Sequence, residues 1–414
     1  MEKKDKLWTR SFLILWQGQL VSTMGDAVYS IALGFWVLAV TGSTALMGTL
    51  MAASTLPGVL VSPFAGVLID RSHKRRLFIL MDLLRGVCVV LLAMAAYRGM
   101  LQIWMAFAAG ILLSVCGAVF NPGLLSAVPD LVSEDKIPNA NAAFSIVTTG
   151  SNLVGSVAGG FLFQVLGAPA LFLFDGLSFL FSGATLPFVK IPDSRKGEKT
   201  HFFADMREGF HYILHKPGLR SILPVASLCN FCVFTGLVLM PALCNASRSL
   251  GPSGYGVMMG GYMGGAMVGY TLMSVITLKQ AQKVPAFVLS SMICTLSMIA
   301  GASQSLLPVM TALFALSGAM NSIFNTQIIA AIQSSTPQEV RGKVMSFLLM
   351  VTQGLTPFAM ALGGVLGGIF PIRAVIVTAF TVEFFVFLPS YFFPEARAFI
   401  VGAEKSKEDI RAEA

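Results

Sequence analysis

Long apolar runs, separated by short polar or Gly/Pro breaks, recur along the whole chain. The pattern predicts twelve helices, at roughly 12–39, 45–69, 77–97, 101–124, 140–165, 170–189, 221–244, 254–278, 284–303, 306–330, 344–369 and 373–394. A helix that crosses the hydrocarbon core needs about 20 residues, so each is long enough to span a bilayer. The connections alternate between very short and charged. Twenty-five of the 28 basic residues fall on one face, and only Arg98, Arg248 and Arg373 on the other. The positive-inside rule then places both termini in the cytosol. Within the polar stretch 191–220, Phe203, Met206, Phe210, Ile213 and Leu214 recur at helical spacing. That segment is expected to form an amphipathic helix lying at the membrane interface. The predicted organisation is an N-terminal six-helix bundle over 1–190, a cytoplasmic linker over 191–220, a C-terminal six-helix bundle over 221–394 and a cytoplasmic tail over 395–414.

Composition agrees with this picture. Apolar residues make up 55% of the chain and charged residues 12%, with 32 Phe and 22 Met. A soluble domain is roughly one-quarter charged, so most of this surface must meet lipid. The fold class is all-α integral membrane, with twelve transmembrane helices as two pseudo-symmetric bundles. A soluble enzyme, a nucleic-acid binder and a disulfide scaffold are excluded. The net charge of +8 reads as cytoplasmic anchoring. The first apolar segment is too long for a signal-peptide core and should stay as a span. Cys229 and Cys232 form a CxxC, but no His or second Cys pair stands nearby. All six cysteines read as small packing residues, and neither metal nor cofactor is expected.

The two halves are similar in size, and one offset relates them. Adding 204 carries Asp26 onto Asn230, Phe120-Asn121 onto Phe324-Asn325, and Gly159-Gly160 onto Gly363-Gly364. Parallel six-helix repeats are the build of one large class of secondary transporter, with the substrate site at the repeat interface.

Between spans 2 and 3 stands Gly66-Val67-Leu68-Ile69-Asp70-Arg71-Ser72-His73-Lys74-Arg75-Arg76. This resembles the signature loop of the major facilitator superfamily, G-x-L-x-D-R-x-G-R-[RK], with His73 in place of the second Gly. The resemblance implies a cytoplasmic gate in which Asp70, at a helix end, latches the two halves until it is neutralised or moved. Asp82 and Arg85, three apart in span 3, share a helical face and are expected to pair with each other or with this loop. In span 5, Gly155-Ser156-Val157-Ala158-Gly159-Gly160 resembles the superfamily's antiporter motif G-P-x-x-G-G, with Ser156 where the pattern has Pro. The alternative is plain close packing of small residues, the reading also given to Gly256, Gly260 and Gly264 and to Gly261, Gly265 and Gly269 in span 8. Further strings, Ser22-Thr23-Met24-Gly25-Asp26, Thr41-Gly42-Ser43, Arg207-Glu208-Gly209-Phe210 and Pro337-Gln338-Glu339-Val340-Arg341-Gly342-Lys343, resemble the macrolide-efflux and enterobactin-exporter branch.

Intramembrane acids are functional candidates by default, because a charge at mid-membrane costs at least about 2.5–3.5 kcal/mol. Asp26, Asp82, Asp175 and Glu383 fall within spans. Span 1 lines the central cavity in the superfamily, so the resemblance implies that Asp26 faces it opposite Asn230. Asp26 is the proton-coupling candidate; the alternative is a permanently hydrogen-bonded structural acid. Asp175 and Glu383 read as structural. Span 4 lacks the Arg that drug antiporters of the superfamily often carry, which leaves that role to Arg85 or to no residue. Asn121 and Asn325 are candidate polar contacts or gate hinges.

The reading is a secondary active transporter exporting an amphipathic small molecule, of drug, macrolide or siderophore type, in exchange for protons. Its partners are the substrate, protons and the lipid bilayer of the cytoplasmic membrane, with neither nucleic acid nor an obligate protein partner. Alternatives are a passive facilitator or lipid flippase on the same scaffold, or a non-transporting receptor. An ATP-driven pump would need a phosphate-cradling loop, and Gly342-Lys343 lacks its upstream Gly.

Overall fold

The computed structural model describes residues 7–133, 136–189, 202–247, 249–276, 278–388 and 399. Among the described residues the chain forms fifteen α-helices and no strand. Helix α1 (Arg10–Thr41) opens where the Thr9 hydroxyl accepts the Phe12 N–H at 3.2 Å. It closes on Gly42 at φ +62°, a left-handed conformation that glycine adopts without strain. Ser43 then caps α2 (Thr44–Ala53), so the chain reverses within two residues.

The second predicted span is two helices, α2 and α3 (Leu56–Arg71), parted at Ser54–Thr55. Pro57 lacks the N–H that would carry the ladder through. Ser114 of α5 (Ile103–Leu131) fills the break. Its hydroxyl accepts the Gly58 N–H at 2.9 Å and donates to the Thr55 carbonyl at 3.3 Å. Helix α4 (Lys74–Tyr97) is continuous. Helix α6 (Ile137–Thr185) holds spans 5 and 6, bent at Gly167, whose φ of +73° and ψ of 174° interrupt the helical run ahead of Pro169.

After α7 (Phe202–His215), span 7 comprises α8 (Pro217–Leu237) and α9 (Met240–Ala246). Next come α10 (Gly251–Val275), α11 (Gln280–Ser303) and α12 (Leu307–Ser335). Span 11 is α13 (Gln338–Gly354) and α14 (Thr356–Ile369), parted at Leu355 ahead of Pro357, and α15 (Ile372–Phe387) follows. Nine helices among the described residues are long and apolar enough to cross a membrane, and the 52-residue segment Ile137–Phe188 can do so twice around Gly167. With α10 and the 16-residue α15, the helices accommodate all twelve predicted crossings. Helices α5 and α12 run on to Leu131 and Ser335, past the predicted ends. Hydropathy marks only the part at lipid depth, whereas the backbone ladder continues beyond it.

The chain forms two compact units: Met1–Thr200 with Pro241–Gly260, and His201–Met240 with Gly261–Ala414. In the first, Phe12 packs edge-on against Phe144 and Phe78 packs against Phe120, in a cluster that includes Leu124 and Leu131. In the second, Phe287, Phe324 and Phe387 form a mutual triad. The repeat is visible in a packing contact. Gly159 sits against Val28 and Ile31 of α1, and Gly363 sits against Thr235 of α8 and Val238 at its C-terminal cap. Gly159 and Ile31, each moved by 204, become Gly363 and Thr235.

Helix α7, expected at the membrane interface, is docked on α12 and α13. Glu208 pairs with Lys343 at 2.8 Å, the Tyr212 hydroxyl donates to the Ser335 carbonyl at 3.1 Å, and Phe210 meets Phe347. Ile213 is buried in that contact, while Phe210 and Leu214 stay exposed. The side chains of Phe203 and Met206, residues 190–201 of the linker, and the tail apart from Phe399 lie outside the described residues.

Candidate functional site

Asp26 lies midway along α1 and is half-buried. Its carboxyl forms no hydrogen bond or ion pair among the described residues. Around it the first unit gathers the acids and the base that the sequence scattered over three spans. Asp82 and Arg85 of α4 are within electrostatic reach of Asp26, and so is Asp175 of α6.

Asp82 and Arg85 form an ion pair on adjacent turns, as their i,i+3 spacing allows. Asp82 is fully buried, and its second oxygen accepts the Ser182 hydroxyl of α6 at 2.7 Å. The Arg85 guanidinium lies over Phe120 at 4.6 Å and Phe179 at 4.2 Å. Two aromatic faces and a carboxylate thus hold the cation at lipid depth. Gly183 gives Asp82 its room, since a Cβ there would stand 3.3 Å from the Asp82 Cβ.

The signature loop is only partly described. The side chains of Gly66, Asp70 and Arg71 lie outside the described residues, so the expected latch at Asp70 has no geometry. Lys74 pairs with Asp130 at 2.8 Å and donates to the Ser126 carbonyl at 2.9 Å, tying the start of α4 to the end of α5. Arg75 and Arg76 are exposed.

In the span-5 motif, Gly155 faces Ala27, Gly159 faces Val28 and Ile31, and Gly160 faces the Pro252 carbonyl and Gly256. Each glycine admits a neighbouring helix, and α6 keeps helical geometry through all three. In span 8, Gly256 and Gly260 meet Ser156 and Val157, whereas Gly261, Gly265 and Gly269 meet Thr311, Ala315 and Ala319 of α12; Gly264 opens on free space.

The three asparagines differ. Asn121 is exposed on α5, and Asn325 is half-buried on α12. Asn230 of α8 donates its amide to the Thr352 carbonyl of α13 at 2.6 Å. Asn121 belongs to the first unit, Asn230 and Asn325 to the second.

Three features escape sequence reasoning. Asp175 is fully buried, and neither of its side-chain oxygens has a hydrogen-bond partner. Gly25, next to Asp26, is the surface it rests on: a Cβ there would stand 2.5 Å from Asp175 Oδ1 and from Ser178 Oγ. In the second unit, Glu383 is buried beside Thr295, whose hydroxyl lies 3.5 Å from Oε1, while Oε2 is unpartnered. That unit also holds an apolar cavity of about 430 Å³ among α8, α14 and α15, lined by Phe231, Thr235, Leu366, Phe370, Ala374 and Thr378. The acids alone were visible in the sequence, as charges inside apolar runs. Their partners and the cavity depend on which helices dock.

The family described as transmembrane secretion effector matches residues 6–393. Macrolide efflux protein A of Streptococcus pyogenes is 26% identical over 234 residues, covering 56% of this chain and 58% of that protein. The MFS-type transporter YvqJ of Bacillus subtilis is 24% identical over 243 residues, covering 56% of each. The chain thus spans little more than half the length of these relatives. Among solved structures, the nucleoside transporter NupG superposes with a TM-score of 0.76 at 10% identity, over 93% of this chain and 100% of that one.

Proposed function

The chain belongs to the transmembrane secretion effector family of the major facilitator superfamily, and from that premise we propose that it exports an amphipathic small molecule in exchange for protons. It is a multi-pass integral membrane transporter of the superfamily type. It sits in the cytoplasmic membrane with both termini cytosolic, a reading supported by the basic residues crowding one set of connections. Export is supported by the relative named for macrolide efflux.

One observation supports proton coupling: a carboxyl group midway along a crossing helix is held by no hydrogen bond or ion pair among the described residues. A carboxyl locked in a structural network would be fixed in one state. Asp26 is free to load a proton from one side and lose it to the other as access alternates. Substrate and proton then compete for one open cavity, so a proton moving down its gradient drives substrate out.

The test is efflux of a panel of amphipathic compounds from cells or everted vesicles, with and without an uncoupler. Efflux should stop when the gradient collapses, and Asp26→Asn should lower wild-type efflux to the uncoupled background. Efflux that survives the uncoupler would sink the reading.

A further inference from the structure

The first unit contains a charge imbalance that one proton-binding residue does not resolve. Asp82 and Arg85 neutralise each other, and Ser182 completes the hydrogen bonding of Asp82. Asp26 and Asp175 remain, within electrostatic reach of each other and each without a donor hydrogen-bonded to its carboxyl oxygens among the described residues. Among the described residues, the charged or titratable groups that face Asp175 are Asp26 and Tyr29 from α1 and Arg85 from α4; Asp82 faces Asp26 and Arg85, and Cys88 faces Tyr29. The Tyr29 ring packs on Phe172, and its buried hydroxyl is also unpartnered. Ser178 donates to the Asp175 backbone carbonyl at 2.7 Å, and its hydroxyl also stands beside the Asp175 carboxyl.

Two carboxylates so placed, away from water, cannot both stay charged without a large repulsive cost. A metal cation would relieve it only with several oxygen ligands and the space to seat them. On the Gly25 side that space is missing, because Asp175 Oδ1 and Ser178 Oγ would stand 2.5 Å from a Cβ there. A proton needs none.

We infer that Asp26 and Asp175 form a two-carboxyl site holding one proton between them, with Asp26 the partly buried outer member and Asp175 the fully buried inner one. The pair then carries a single negative charge when one proton is bound, and its affinity belongs to both groups rather than to either. Asp175 is a positioning residue in this scheme: it acts through Asp26, across the Gly25 contact. The inference rests on the proton-coupled reading above.

The experiment is a pH titration of the purified full-length protein by infrared difference spectroscopy in light and heavy water, with protons the only ligand varied. The wild type should show the carbonyl stretch of a buried, protonated carboxyl that Asp175→Asn removes. In Asp26→Asn the midpoint of that band should move by about tenfold or more in proton concentration. A band that Asp175→Asn leaves in place, or a midpoint that moves less than about twofold in Asp26→Asn, would overturn the pair. Should Asp175→Asn fail to fold, Asp26→Asn still decides, because it leaves the inner carboxyl in place. The two readings fail separately. Efflux indifferent to an uncoupler, with coupled titration intact, removes the proposed function alone; coupled efflux with independent titrations removes the pair alone.

Discussion

Asn230 of α8 donates its side-chain amide to the backbone carbonyl of Thr352, 2.6 Å away, three residues before α13 gives way to α14. An interrupted helix leaves backbone groups without their ladder partners, and at lipid depth water cannot replace them. Asn230 therefore staples span 7 to the bend in span 11. Replacing it by Ala or Leu should destabilise the protein by about 1–3 kcal/mol, the cost of an orphaned buried acceptor. Asn230→Asp should be no better, since a carboxylate cannot donate. Thermal unfolding in detergent reads this directly, and Asn230→Ala as stable as wild type would contradict it.

The Ser114 plug predicts a parallel result in the first unit. Its one hydroxyl serves Gly58 and Thr55 on the two sides of the span-2 break. Ser114→Ala should cost about 1–2 kcal/mol. Amide exchange should quicken around Gly58 before it does elsewhere in α3, as mass spectrometry of exchanged peptides would reveal.

Arg85→Met should be among the most damaging single changes. It leaves the fully buried Asp82 with only Ser182, and breaking a buried pair from one side costs about 3–5 kcal/mol. Arg85→Lys keeps the charge but loses the flat stack on Phe120 and Phe179, so it should fall between Met and wild type. Removing both charges with Asp82→Asn and Arg85→Met should recover part of the loss. Additive losses in that double variant would show that the pair is not a unit.

Lys343→Ala offers a contrast. Its partner Glu208 is about half exposed, and pairs of that kind contribute about 0–1 kcal/mol. Stability should barely move, and a large loss would mean that α7 relies on this contact more than on its buried Ile213.

The span-5 glycines separate packing from bending. Gly160→Ala would drive a methyl into the Pro252 carbonyl, whereas Gly150→Ala on the same helix meets open space. The first should cost about 1–3 kcal/mol as overpacking, and the second should be neutral or slightly stabilising. Equal effects on stability, with transport lost in both, would favour a bending role.

The helices and the crossings they accommodate were legible in the sequence because lipid imposes a length and a polarity that few other environments do. The Asp82–Arg85 pair was legible too, since i,i+3 spacing on one helix fixes it locally. The breaks in spans 2, 7 and 11 were not. Pro57, Pro241 and Pro357 allow them, but in spans 2 and 11 a hydroxyl or amide from another helix serves the break, and apolar runs do not say which helix that is. The surroundings of Asp175 were hidden for the same reason. Along its own helix it is one acid among Phe, Leu and Gly; only the docking of Gly25 onto it makes it a neighbour of Asp26. For α7 the sequence showed the apolar stripe but not its protein partner, because such a stripe looks the same whether it meets lipid or α13.

Gly167 has a consequence for anyone handling this protein. With the backbone reversing at one left-handed residue between the fifth and sixth crossings, that end of the hairpin presents almost no chain to the aqueous phase. An inserted affinity tag, a protease or an antibody would find no slack there and would have to unwind the hairpin first. Labels are better carried on the ends that extend past the bilayer, such as those of α5 and α12.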